Sequence, residues 1–285
     1  MAKSSGNALD DLIADEFAEM RDLSKEDDSV SDFLDTGNYS LNYICSKRLD
    51  GAIPMHRITS LYGRSQTGKS LLIANINKDP RIKRTIIFES EGGGNCRSLF
   101  EFVQSPYEKV RIVPVQTFTS YKISKKDGKI EEVSEKELPA KLENDNYIFK
   151  RGLISSIKGI LNRLIYNHNE EEILLAIDSL GNVKSVRQLS GGYDMGMTGQ
   201  NLGDLFSSID SLLEEAHCTL VFTNKVYNSM DEYTGFIQKG GESVIYNPSF
   251  NSFRSLSWLI VPSIICIFLA EIWLYPFPVD SLFCN

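Results

Sequence analysis

The chain has 285 residues, 42% hydrophobic and 24% charged, enough to bury one full α/β core with small additions. Its formal charge of −8 is local, because residues 1–35 hold 11 acidic and 3 basic side chains and the rest has 27 of each sign; net charge neither implies nor excludes a DNA-binding surface on the body. Five scattered cysteines (Cys45, Cys96, Cys218, Cys266, Cys284) without CxxC spacing argue against a disulfide framework or zinc site and for free thiols in a reducing cytoplasm.

In chain order, Leu9, Leu12, Ile13, Phe17 and Met20 recur at helical spacing among acids, which predicts one amphipathic N-terminal helix within an acidic segment, 1–35. That helix packs either on its own core or on a neighbouring subunit. Its acids and the lack of a basic start exclude a secretory signal. From Arg57 onward, apolar runs at 58–62, 85–88, 111–115, 173–177 and 219–223 alternate with helical stretches. This pattern predicts an α/β core over 36–250, with a mostly parallel sheet and helices on its faces. Between the third and fourth runs, 122–146 is highly charged and broken at Asp127-Gly128, as in a solvated hairpin. His56, His168 and His217 have no sequence-local partners at metal-ligand spacing and read as structural.

Between the 58–62 run and a helix-like run at 71–76 stands Gly63-Arg64-Ser65-Gln66-Thr67-Gly68-Lys69-Ser70. It fits GxxxxGKS, the phosphate-binding loop of nucleoside triphosphatases, in the strand–loop–helix setting that motif requires. In such a loop the backbone N–H groups cradle the phosphates, Lys69 reaches the β- and γ-oxygens, and the Ser70 hydroxyl ligates Mg²⁺. The following helix directs its N-terminal partial charge at the anion. Asp178 ends an apolar run and is the candidate for holding Mg²⁺ through water. Glu91 follows the 85–88 run, and its carboxylate is placed to orient or deprotonate an attacking water. The expected cofactors are ATP and Mg²⁺.

The stretch from Asp35-Thr36-Gly37-Asn38-Tyr39-Ser40 through Gly51-Ala52-Ile53-Pro54-Met55-His56-Arg57-Ile58 to the phosphate loop resembles the lead-in to the core of RecA-type recombinases, with its Leu-rich helix and GGxPxGRI stretch. Ile177-Asp178-Ser179-Leu180-Gly181-Asn182 is similar to the phage UvsX branch of that family. The resemblance runs from about residue 35 to about 248 and implies a RecA-like ATPase core. It also implies self-association into a helical filament, binding of single-stranded and duplex DNA, strand exchange in recombination and repair, and cooperation with a recombination mediator or single-stranded-DNA-binding protein. On the same basis Glu91 matches the water-activating glutamate. Lys225, in Phe222-Thr223-Asn224-Lys225, falls at the γ-phosphate sensor, where the RecA branch has glutamine. Segments 184–200 and 226–241 match the two DNA-binding loops. Both mix basic or aromatic residues with glycines, a composition suited to backbone charge and base stacking.

The alternative readings are a hexameric RecA-fold helicase or other DNA-linked ATPase, and an inactive recombinase that lacks its ending. The last of these arises from the tail, 251–285. There 256–270 is an apolar run of 15 residues containing Pro262, too short for the ~20 residues of a membrane span. The tail reads as a buried segment or as non-native sequence, and a cytoplasmic location is expected.

Overall fold

The structure, a computed structural model, describes residues 32–93, 95–139, 141–193, 196–228, 236–238 and 250–251. The expected N-terminal helix and the apolar tail lie outside the described residues. Strand β1 (Phe33–Leu34) pairs antiparallel with β2 (Ile53–Pro54), and helix α1 (Tyr39–Ser46) fills the connection between them. Asn38 caps α1 by accepting a hydrogen bond from the Leu41 N–H at 2.9 Å. Buried Asn42 ties the segment together, accepting from the Thr36 hydroxyl at 2.6 Å and donating to Asp35 at 2.7 Å and to the Leu49 carbonyl at 2.9 Å.

The core is an α/β sheet built on β3 (Ile58–Gly63), β4 (Ile82–Glu89), β5 (Val110–Pro114), β9 (Glu172–Asp178) and β10 (Cys218–Asn228). All five are parallel, in the order β3-β10-β9-β4-β5. They are the five strands expected from the apolar runs. Two short strands extend the sheet: β12 (Phe250–Asn251) runs parallel beside β3, and β11 (Phe236–Gln238) pairs antiparallel with the end of β10. This mostly parallel sheet is consistent with a Rossmann- or RecA-like core.

The inner strands β9 and β10 are apolar on both sides because helices cover both faces. Leu174, Ala176, Ile87, Leu61 and Val221 meet Ile73 and Ile76 of α2 (Lys69–Ile76), together with Phe100 of α3 (Arg97–Phe102). The alternate residues Leu175, Ile177, Phe88, Leu220 and Phe222 pack on α4 (Leu153–Tyr166) and α6 (Met197–Glu215). Helix α4 buries Leu153, Ile157 and Leu161 at four-residue spacing, and α6 buries Leu202, Leu205, Phe206, Ile209 and Leu213. Phe206 stacks on Phe222 at 5.3 Å between centroids, which joins α6 to the middle of the sheet.

The charged insertion is more than a hairpin. β6 (Tyr121–Ser124) and β7 (Ile130–Glu132) do turn at Asp127-Gly128, but β8 (Tyr147–Lys150) adds antiparallel to the other side of β6, giving a separate three-stranded sheet. The turn needs Gly128 at φ 70°, a conformation with little cost only for glycine. The segment 184–200, expected as an open loop, also carries structure: α5 (Val186–Leu189) is capped by Ser185, and α6 begins at Met197. Among the described residues no helix is long and apolar enough to cross a membrane.

Candidate functional site

In a parallel sheet with helices on both faces, loops from neighbouring strands meet at the carboxyl edge. Here the ends of β3, β4, β9 and β10 bring together every side chain singled out there by the sequence. The loop from Gly63 to Ser70 leaves β3 and turns into α2 at Lys69. Gly68 takes φ 83° as the residue capping α2, and a Cβ on Gly63 would stand 2.9 Å from the Thr67 hydroxyl. Both positions therefore suit glycine. Arg64, Ser65 and Gln66 form the exposed crest of the loop, while Thr67 closes it by donating to the Arg64 carbonyl at 2.9 Å.

Lys69 folds back into this loop. Its ammonium donates to the Gly63 carbonyl at 3.1 Å and to the Arg64 carbonyl at 2.6 Å. Burial lowers its pKa, with the carboxylates of Asp178 and Glu91 acting the other way and Lys225 reinforcing the shift.

One residue further on, the Ser70 hydroxyl donates to Asp178 Oδ2 at 2.6 Å across 108 residues of sequence. Asp178 is buried and held from two further sides. Asn95 donates to the same oxygen at 3.0 Å, and Thr223 donates to Oδ1 at 2.5 Å. Three donors on three different elements thus fix one carboxylate at the end of β9. Sequence reading found Ser70 and Asp178 but missed Asn95 and Thr223. Thr223 had a signal, since it lies within the suspected sensor segment on the strand adjoining β9; Asn95, beyond three glycines, had none.

Glu91 lies just past β4. Its Oε1 pairs with Lys225 Nζ at 2.6 Å, accepts from the Ser179 hydroxyl at 3.1 Å and is in close contact with the Asn182 amide. Lys225 itself stands level with Gly63 across the β3–β10 ladder. Burial is the largest single influence on the Glu91 carboxyl and pushes its pKa up. The Lys225 hydrogen bond, the Ser179 hydrogen bond, the Lys225 charge and Asn182 together outweigh it and hold the group below the ordinary glutamate value. A carboxylate depressed in this way adds stability at pH above its ordinary value, and that contribution is lost as pH falls through the folded-state value.

Lys225→Ala removes the strongest opponent of burial, so the Glu91 pKa rises. Site-resolved carboxyl titration by carbon NMR checks this, and an unmoved Glu91 midpoint would show that the ion pair does not set it.

Asn95 has a further feature. Its Oδ1 is buried with no hydrogen-bond partner among the described residues, while its amide nitrogen serves Asp178. A buried acceptor without a donor is costly, so this one marks a place where a water or a hydrated ion would be satisfied. At the other edge of the sheet, where the strands begin, His56 and His217 both approach Glu172. Cys45, Cys96 and Cys218 are free thiols. Compared with known proteins, the chain matches no protein-family model and no curated protein at significance.

Proposed function

We propose that this protein is an ATP-hydrolysing recombinase of the RecA type, which binds single-stranded DNA, assembles on it and pairs it with homologous duplex. The observation that carries this reading is the convergence of Lys69, Ser70, Asp178, Glu91 and Lys225 at one sheet edge, directly after a glycine loop that opens a helix.

The residues present fit ATP with Mg²⁺. The loop's glycines leave room for phosphate to approach the backbone, and Lys69, which donates to neutral carbonyls, gains by exchanging them for phosphate oxygens. Ser70 and, through water, Asp178 would hold Mg²⁺, which supplies charge neutralisation on the β- and γ-phosphates. The unpartnered Asn95 Oδ1 is suited to accept from one of the ion's waters. Glu91, kept ionised by Lys225, Ser179 and Asn182, orients the attacking water and takes its proton. Lys225 joins the two halves of the chemistry. It pairs with Glu91 when no γ-phosphate is present, and a γ-phosphate competes for its ammonium, so that nucleotide state and the position of β10 are linked.

DNA contact is proposed for the segments that follow β9 and β10. After β9, Lys184, Arg187 and Tyr193 are exposed, Tyr193 to 88%, a combination of charge and stacking surface that suits single strands. Of 226–241, residues 226–228 and 236–238 form a β-hairpin pair, and the rest lies outside the described residues. Because β10 carries both Lys225 and the start of this hairpin, γ-phosphate binding and DNA binding share one element. Helix α1 exposes Tyr39, Tyr43 and Ile44, apolar surface that suits self-association in a filament.

The test is single-stranded-DNA affinity measured with a non-hydrolysable ATP analogue, with ADP and without nucleotide. The expected result is affinity at least about fivefold higher with the ATP analogue, the lower end of common coupling energies. Affinity should also fall steeply as salt rises, because phosphate contacts release counterions. Equal DNA affinity in all three states would remove the recombinase reading and leave a nucleotide-binding protein of another kind.

A further inference from the structure

Where the parallel strands begin, on the edge opposite the glycine loop, three neighbouring strands present a second set of chemically active side chains. His56 precedes β3 by two residues, Glu172 opens β9, and His217 immediately precedes β10, which lies between the other two strands. The ladder holds these ends together. The Ile173 N–H donates to the His217 carbonyl at 3.0 Å and the Leu220 N–H to the Arg57 carbonyl at 3.1 Å. The His56 N–H donates to the Thr219 hydroxyl at 3.0 Å.

Both imidazoles turn toward the one carboxylate. His56 Nε2 is 2.9 and 3.1 Å from the two oxygens of Glu172, and His217 Nδ1 is 3.4 Å from Oε1. The two rings meet edge to face with centroids 5.5 Å apart. One ligand atom from each residue can be chosen so that all lie within 4.8 Å of one another. The side chains are 24%, 22% and 42% exposed for His56, Glu172 and His217, sheltered yet open to solvent on one side.

We propose that His56, Glu172 and His217 form a binding site for a divalent transition-metal ion of the zinc class, with water completing the coordination. Zinc bonds to imidazole nitrogen and carboxylate oxygen of about 2.0–2.2 Å place tetrahedral ligand atoms about 3.3 Å apart. His56 Nε2 and His217 Nδ1, at 3.1 and 3.4 Å from Oε1, are already near that value, and the rings need only close on the ion from within the 4.8 Å span to take the place of the shared protons. Two imidazoles and one carboxylate select zinc-like ions over Mg²⁺ and Ca²⁺, which prefer all-oxygen sets. Cys218 is adjacent in sequence but is no ligand. Its side chain is buried and its Sγ faces the Ala216 carbonyl at 3.4 Å.

The six residues of β3 separate this site from the glycine loop by roughly 20 Å at about 3.3 Å per residue. The ion therefore fastens the starts of three adjacent strands and takes no part in nucleotide chemistry.

The experiment is isothermal titration of Zn²⁺ into the chelator-stripped 285-residue chain at neutral pH, with excess Mg²⁺ present to occupy the nucleotide site. The expected result is one equivalent bound with a Kd of about 1 μM or tighter. Co²⁺ in place of zinc should show the visible absorption of a low-coordinate nitrogen–oxygen site. The double variant His56→Asn/His217→Asn should weaken zinc binding by roughly a hundredfold or more and leave ATP affinity unchanged. Should that variant fail to fold, Glu172→Gln, which keeps the side-chain shape and removes the charge, serves in its place with the same expected loss. A wild-type chain that binds zinc no tighter than about 100 μM, or a folded variant that binds it as tightly as wild type, overturns the proposal.

Discussion

Replacing Glu91 by glutamine should leave ATP affinity within about twofold and slow hydrolysis by roughly 100- to 10,000-fold, the range lost when a positioned general base is removed. Three features of the site set this expectation. Glu91 is held by Lys225 at 2.6 Å and Ser179 at 3.1 Å, so its carboxylate has a defined direction even without ligand. Its pKa is depressed, so near neutral pH it is ionised and able to accept a proton. It also lies outside the loop from Gly63 to Ser70, so binding should survive its neutralisation. Glutamine preserves the hydrogen bonds from Ser179 and Asn182 but cannot take a proton. Steady-state ATP turnover together with equilibrium nucleotide titration separates the two quantities. Unchanged turnover in Glu91→Gln would end the assignment of Glu91 to chemistry and transfer the search to Glu89, which instead accepts from the Asn95 and Gly93 backbone N–H groups.

The middle of the sheet was legible in the sequence because β9 and β10 are buried on both faces and read as apolar runs; 173–177 is the clearest case. β4 begins at Ile82 rather than near residue 85 because Lys83 and Arg84 are exposed at its start, so charge concealed its first turn of pairing. The three-stranded insertion was misread for a different reason. Tyr147–Lys150 pairs with Tyr121–Ser124 across more than twenty residues, and no local turn signal announces that pairing. The path of the glycine loop from β3 into α2 was legible, since its motif occupies eight consecutive residues. The clamp on Asp178 was only half legible: Ser70 belongs to the motif, whereas Asn95 and Thr223 become partners only through strand order. The His56–Glu172–His217 group was invisible, with 116 and 45 residues between its members and no shared motif. Motifs reveal sites built from one segment; topology builds the others.

Lys69→Ala should weaken ATP binding by at least about a hundredfold, corresponding to roughly 3 kcal/mol for loss of a charged hydrogen-bonding partner. The ammonium lies inside the loop, and burial has already lowered its pKa, so part of the cost of desolvating it is borne before any phosphate arrives. Among the described residues it is satisfied by the Gly63 and Arg64 carbonyls and by a long contact to Thr67 at 3.5 Å. On the proposed reading, nucleotide binding exchanges those neutral acceptors for ionised phosphate oxygens, a stronger interaction than the one given up. Lys225 does not take its place, because its ammonium is already paired with Glu91. Alanine at 69 is compatible with the first turn of α2, and the buried face of that helix begins at Ile73, so thermal unfolding of the variant should match wild type. Titration with a fluorescent ATP analogue reads the affinity directly. A folded Lys69→Ala protein that binds ATP as wild type does would mean that the loop from Gly63 to Ser70 is not where the phosphates sit, and the functional reading built on that loop would go with it.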